Sequence, residues 1–238
     1  MITHVAVVVP ARDEEELLPR CLRSIEHAVS ELRRGRRRVT VEVLVVLDGC
    51  RDGSAVVVAR HGARALACDL GRVGAVRHLG VAAVLRSRSH DSTWIACTDA
   101  DSVVPPHWLM EQLDLAAAGA DVVVGTVEPL GLSAKAVRDA WWDRHDLREG
   151  HVHVHGANLG IRASTYARLG GFAPLALHED ADIVQRARRD RSVQVVATDA
   201  PPLGGAARPR RLQCVVEVDQ HHDAGLGGDA GQRDEADR

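Results

Sequence analysis

Thr98-Asp99-Ala100-Asp101 sets two carboxylates one small residue apart, directly after the apolar run Trp94-Ile95-Ala96-Cys97. A short apolar run of that kind reads as a buried strand. Ligand sites of open α/β sheets lie outside the carboxyl ends of strands. Two aspartates there, with Ala100 leaving the backbone room, suit a hard divalent cation such as Mg²⁺ or Mn²⁺, which commonly bridges protein to phosphate oxygens. The same pair equally opens a loop, with Asp101 capping a turn ahead of Pro105-Pro106. A second acidic pair, Glu179-Asp180, begins a helical pattern. Carboxylates in a first helical turn are favoured by the macrodipole and need no chemistry to explain them.

These residues require a scaffold, and the chain alternates in the way that supplies one. Val5–Val9 is a β-branched run stopped by Pro10, as expected of a parallel strand buried on both faces. A helical pattern follows from Glu15, with apolar positions Leu17, Leu18, Cys21, Leu22, Ile25, Val29 and Leu32. Val41–Leu47 is a second strand, followed by a turn-rich loop from Asp48 to Ser54 and the helix Ala55–His61. Arg64–Cys68 is a short third strand, and Gly71-Arg72-Val73-Gly74 opens another helix. After Trp94–Thr98 come a helix over Trp108–Ala118 and a strand over Asp121–Val127. Strands alternating with helices imply βαβ units, a mainly parallel sheet and right-handed crossovers. The loops that follow the strands then share one edge, so Arg12, Asp13, Asp48, Asp52, Asp99 and Asp101 are expected in one crevice.

Composition bounds the function classes. The 238 residues are 45% hydrophobic and 3% aromatic, enough for one large α/β domain with a Val, Leu and Ala core. A formal net charge of −3 gives no global sign of a nucleic-acid partner. Arg33 to Arg38 holds five arginines, read as a solvated helix end rather than an anion-binding patch. The five cysteines form no CxxC pair, which argues against a disulfide framework or zinc ribbon and for a reducing, cytoplasmic setting. The N-terminus enters Val5–Val9 without a basic region or cleavage site, so no leader is expected. No apolar run approaches the roughly 20 residues of a membrane span. Peripheral contact with a membrane surface stays open.

The second half is less regular. Lys135–Arg148 reads as a helix carrying Trp141 and Trp142. His151, His153 and His155 alternate and would share a strand face, but no cysteine or carboxylate stands at ligand spacing to complete a zinc site. Gly156-Ala157-Asn158-Leu159-Gly160-Ile161 is a small-residue strand or turn that could let backbone approach a ligand. A helix over Ala181–Arg189 and a short strand over Gln194–Ala197 follow. From Pro201 periodicity disappears. Residues 201–238 are expected to be a poorly ordered tail after a domain over 1–200, with Val215, Val216 and Val218 as a strand-like remnant.

Four segments, in order, resemble the GT-A fold glycosyltransferases of the large family 2, which use nucleotide-diphosphate sugars. Val8-Val9-Pro10-Ala11-Arg12-Asp13-Glu14 is similar to the family's opening strand and nucleotide loop. Leu47-Asp48-Gly49-Cys50-Arg51-Asp52-Gly53-Ser54 resembles the second nucleotide loop, with Leu47 where the family has a further aspartate. Thr98-Asp99-Ala100-Asp101 matches the metal-binding Asp-x-Asp. Gly156 to Arg162, Gly170-Gly171-Phe172 and Glu179-Asp180 resemble the acceptor-side block.

The resemblance covers residues 4 to 198. It implies a Rossmann-like, three-layer α/β/α fold with a mainly parallel sheet. It also implies metal-assisted transfer of a sugar, of the hexosyltransferase type, to an acceptor hydroxyl. Pro10, Ala11, Arg12, Glu14 and Asp48 would grip base and ribose. Asp101 would hold Mn²⁺ or Mg²⁺, with Asp99 helping at metal and ribose, and Asp180, beside Glu179, would be the general base of an inverting reaction. Arg77 would add positive charge at the diphosphate or be a surface arginine, and Asn158 would help to shape the acceptor pocket. A retaining reaction would not need that base, and the acceptor, the donor's base and sugar, and the choice between inversion and retention are not legible.

A sugar nucleotidyltransferase would instead show a Gly-rich phosphate loop after the first strand, and Pro10–Glu14 has no glycine. A non-catalytic nucleotide-sugar-binding protein is the other alternative, because the C-terminus departs from the family. That terminus has the composition of a GC-rich frame read out of phase, so a frameshifted or degenerate end is expected. Translating the other frames downstream of Ala200 tests this: no family-like continuation there removes the idea.

Overall fold

The computed structural model describes residues 1–130, 153–198 and 213–217. The helix expected over Lys135–Arg148, with Trp141 and Trp142, and His151 lie outside the described residues. Strands β1 (His4–Ala11), β2 (Thr40–Asp48), β3 (Arg64–Cys68) and β4 (Thr93–Cys97) alternate with helices α1 (Leu18–Gly35), α2 (Ser54–Arg60) and α3 (Val73–Leu85). Then come β5 (Ser102–Val103), α4 (Trp108–Ala117), β6 (Val122–Val124), β7 (Thr126–Leu130), β8 (Leu159–Arg162), α5 (Ala163–Arg168), α6 (Glu179–Arg189), β9 (Val195–Ala197) and β10 (Gln213–Glu217).

Seven strands form one sheet in the order β3-β2-β1-β4-β8-β6-β9. Every pairing is parallel except those of β8, which runs antiparallel to both β4 and β6. The period-two alternation of β1 explains the three layers. Val5, Val7 and Val9 face a core built with α1, α2, α4, Trp94 and Trp108. Ala6 and Val8 face a second core with α3, α5 and α6. Strands with both faces buried favour apolar residues, and β1 and β4 are apolar after their first residues, the buried His4 and Thr93.

Leu47, at the position of the family's extra aspartate, is buried in the first core at the end of β2. That position therefore offers the donor no carboxylate. The arginines at the end of α1 are exposed or half-buried, in accord with a solvated helix end.

The close fit of α3 to the sheet depends on Gly80. A Cβ added there would lie 2.7 Å from both Val46 Cγ2 and Val8 Cγ1. Gly80→Ala is expected to destabilise the fold by about 1–3 kcal/mol, because overpacking outweighs the gain in helix propensity. Urea denaturation checks it: a midpoint equal to or above wild type contradicts this packing.

The expectation of a poorly ordered tail does not hold for residues 213–217. β10 lies between β5 and β7 in a small three-stranded sheet, parallel to β7 and antiparallel to β5. Cys214 is fully buried there and joins the first core. The strand-like run at Val215 and Val216 falls in β10; its pairing was not legible because its partners lie about a hundred residues away along the chain, in β5 and β7.

Candidate active site

The carboxyl ends of β1, β2 and β4 open onto a cavity of about 660 Å³. Pro10, Ala11, Arg12, Glu14, Asp48, Arg77, Asp99, Asp101, Glu179 and Asp180 all line it. The cleft is of a size that holds a small-molecule ligand.

The loops after β1 and β2 are laced together by side chain to backbone bonds. Glu14 N–H donates to Ser54 Oγ (2.9 Å), Glu15 N–H to Asp52 Oδ2 (2.8 Å), Arg51 N–H to Asp13 Oδ1 (2.7 Å) and Gly53 N–H to Glu15 Oε2 (2.6 Å). Asp13 and Asp52 are thereby loop fasteners, and neither lines the cavity. Asp13, Cys50 and Asp52 come close enough to ligate a cation, yet both carboxylates already accept these backbone bonds.

Asp48 is also engaged. Its Oδ1 accepts from Leu70 N–H (2.6 Å) and its Oδ2 from Gly71 N–H (3.0 Å), at a turn where Gly71 has φ 63°. The buried carboxylate thus shapes the Leu70-Gly71 wall of the cleft. Arg12 stands 3.7 Å from Asp48 Oδ2 with its side chain 59% exposed, the most accessible cation of this wall.

Asp101 accepts from Ser102 Oγ at 3.2 Å. Burial pushes its carboxyl up to about 6, and the charge of Asp99 adds to the rise. A desolvated carboxyl beside another carboxylate is poorly compensated by the protein, and a divalent cation supplies what is missing. The pair therefore has the donor chemistry that would hold a divalent cation such as Mn²⁺ or Mg²⁺.

Arg77 is not a surface arginine, although an edge of it lines the cavity. Its guanidinium is 2% exposed and forms ion pairs with Asp99, through Nη2, and with Glu179 Oε1, through Nε at 2.9 Å. Glu179 is thus a buried ion-pair partner of Arg77; burial raises its carboxyl, opposed by the Arg77 charge. Asp180 is held differently. Its Oδ2 accepts from Gly156 N–H (2.6 Å) and its Oδ1 from Ala181 N–H (2.7 Å), in the first turn of α6 on the cavity wall.

Asn158 does not line the cavity. Its Oδ1 accepts from Trp108 Nε1 (2.9 Å) and its Nδ2 donates to the Thr126 carbonyl (3.0 Å), so the amide is a core polar link. The glycines of the 156–160 block make room for protein, not ligand. A Cβ at Gly156 would lie 2.5 Å from Arg77 Nη2, and one at Gly160 2.5 Å from Gln112 Oε1.

His155, Leu177 and His178 also line the cavity, and sequence reasoning gave none of them a role at the donor site. His178 has φ 63°, an uncommon left-handed conformation for a non-glycine, at the start of α6. His153 and His155 lie in no strand, so the shared strand face read from their alternation is not formed there, and among the described residues His155 belongs to no cluster of three ligating side chains.

The family model for glycosyl transferase family 2 matches residues 6–164, two thirds of the chain. The chain belongs to that family. Among solved structures, its fold is similar to S. aureus TarS 1–349 in complex with UDP-GlcNAc, at TM-score 0.63 and 12% identity over 92% of this chain and 59% of that one. It is also similar to the mannosyltransferase PcManGT from Pyrobaculum calidifontis in complex with GDP-Man and Mn²⁺, at TM-score 0.59 and 21% identity, over 92% of this chain and 58% of that one. Glucosyl-3-phosphoglycerate synthase from Mycobacterium tuberculosis, in complex with phosphoglyceric acid, aligns at TM-score 0.54 and 18% identity, over 84% of this chain and 74% of that one. The family 2 chain described here thus spans about three fifths of the length of the first two. No curated protein matches it. Among the described residues no helix is long and apolar enough to cross a membrane.

Proposed function

We propose that this family 2 protein moves a hexose from a nucleotide-diphosphate sugar to an acceptor hydroxyl, with inversion and with help from a divalent cation. One observation carries the reading: Asp99 and Asp101 line the same cavity as Asp180. Cleaving a sugar–phosphate bond needs the leaving diphosphate neutralised on one side and the attacking hydroxyl deprotonated on the other. Two groups of carboxylates facing one cleft meet both needs.

Asp101 and Asp99 would hold Mn²⁺ or Mg²⁺, which stabilises developing charge on the diphosphate as a Lewis acid. Complexes of similar folds with UDP-GlcNAc and with GDP-Man and Mn²⁺ support a nucleotide-sugar donor and a divalent ion. Arg12, exposed at the Asp48 wall, would meet base, ribose or phosphate. Pro10, Ala11 and Glu14 supply the neighbouring surface. Asp180, oriented by the Gly156 amide, would take the proton of the acceptor hydroxyl as it attacks the anomeric carbon. Cytoplasmic placement fits the free cysteines, all five of which lack disulfide partners.

A thermal-shift screen of UDP- and GDP-sugars, with and without Mn²⁺, tests the donor side. A preferred donor at a hundredfold excess over its Kd stabilises the fold by about 2.7 kcal/mol. Stabilisation that needs Mn²⁺ is the expected result. No shift with any nucleotide sugar, with or without the ion, contradicts the reading.

A further inference from the structure

We propose that Arg77 is a positioning residue that fixes Asp99 and Asp180 relative to one another, and that it does not bind the diphosphate. This inference rests on the transfer reading above. The guanidinium presents its N–H donors in a rigid planar fork. Nε donates to Glu179 Oε1 at 2.9 Å, Nη1 donates to the Gly156 carbonyl at 3.2 Å, and Nη2 pairs with the Asp99 carboxylate. With the side chain 2% exposed, little of that fork remains for a solute.

The three acceptors come from three parts of the cleft. Asp99 follows β4 on the donor side. Gly156 opens the short 3₁₀ turn before β8. Glu179 opens α6. Arg77 reaches Asp180 by two routes: Glu179 precedes it in the chain, and the Gly156 residue whose carbonyl accepts from Arg77 donates its N–H to Asp180 Oδ2 at 2.6 Å. One buried cation therefore ties the carboxylate at the leaving group to the carboxylate at the nucleophile. Inverting displacement needs those two ends held in line, and an error of about 1 Å there costs on the order of a hundredfold in rate.

Two substitutions disturb this strut in different ways. R77K keeps the charge, but a point ammonium cannot span three acceptors in the directions of a planar fork. G156A keeps the guanidinium but places a Cβ 2.5 Å from Nη2 and 2.9 Å from Cζ. The transferred group can be followed without knowing the acceptor, with water in its place: the anomeric C–O bond to the diphosphate breaks, the bond to water oxygen forms, and the water proton passes to Asp180.

The test compares wild type, R77K, G156A and the double variant for Mn²⁺-dependent hydrolysis of UDP-glucose, UDP-GlcNAc and GDP-mannose, with folding checked by thermal melts. The expected result is a fall of about a hundredfold in kcat for each single variant with donor KM within about threefold of wild type. The double variant is expected to be no slower than the slower single, because both break one unit. A diphosphate ligand gives the opposite split, with R77K raising KM and G156A near wild type; that result overturns the proposal. Wild-type kcat in folded R77K or in folded G156A overturns it as well. Where R77K does not fold, G156A decides alone. Hydrolysis of none of the three by wild type removes the transfer reading itself, and the inference with it.

Discussion

Asp180→Asn is expected to abolish sugar transfer while leaving nucleotide-sugar binding intact. The amide keeps a carbonyl oxygen for the Gly156 N–H at 2.6 Å, and gives up only the bond that Oδ1 accepts from Ala181 N–H at 2.7 Å, a local loss in the first turn of α6. What disappears is the ability to accept a proton. Loss of a general base lowers a rate by about 10²–10⁴-fold, or roughly 3–5 kcal/mol of barrier. Initial rates of nucleoside diphosphate release, set beside Kd from calorimetry, separate the two effects. Transfer near the wild-type rate removes Asp180 from the base role. Glu179 is not a substitute, because its carboxylate is buried against Arg77. Glu179→Gln is instead expected to weaken the fold, by leaving a buried guanidinium with one carboxylate fewer.

Asp101→Asn is expected to stabilise the metal-free fold and to abolish stabilisation by Mn²⁺. The sign follows from burial. The Asp101 carboxyl, ordinarily near 3.8, is pushed up to about 6 in the folded chain. A group with a raised folded value binds its proton more tightly in the folded state, so its ionisation costs stability above pH 6 and costs nothing below about pH 4. The difference of about 2 pH units corresponds to about 3 kcal/mol at most at neutral pH. Asparagine cannot ionise and escapes that cost. Melts without metal are expected to favour the variant at pH 7.5, with the gap closing as pH falls towards 4. Mn²⁺ is expected to raise the wild-type melt at pH 7.5, to lose that effect as pH falls through 6, and to leave the variant unmoved. A wild type that melts higher than the variant without metal, at every pH, contradicts the burial argument.

The scaffold was legible where one local rule dominates. The unbroken apolar runs of β1 and β4 admit only a doubly buried strand, and the polar stretch after each must then fall on one edge. The crevice holding Arg12, Asp48, Asp99 and Asp101 followed from that alone. What stayed hidden are pairings between residues far apart in sequence. Glu179 looks like a helix-start carboxylate because its partner Arg77 is 102 residues away. Asn158 resembles a pocket residue because Trp108, which claims its carbonyl, lies 50 positions upstream. The glycines of the 156–160 block suggest ligand approach, yet Gly156 yields to Arg77 and Gly160 to Gln112. Periodicity reports which face of an element is buried, not which side chain meets it there. The match of residues 6–164 to family 2 is independent of those details.

The most direct measurement is identification of the nucleotide released when the wild-type chain meets a nucleotide sugar and Mn²⁺. Nucleoside diphosphate, formed in the presence of Mn²⁺, reduced by chelator and reduced again by Asp180→Asn, is the predicted result. Turnover unchanged by chelator, or release of pyrophosphate from a nucleoside triphosphate and a sugar phosphate with no nucleoside diphosphate formed, contradicts it.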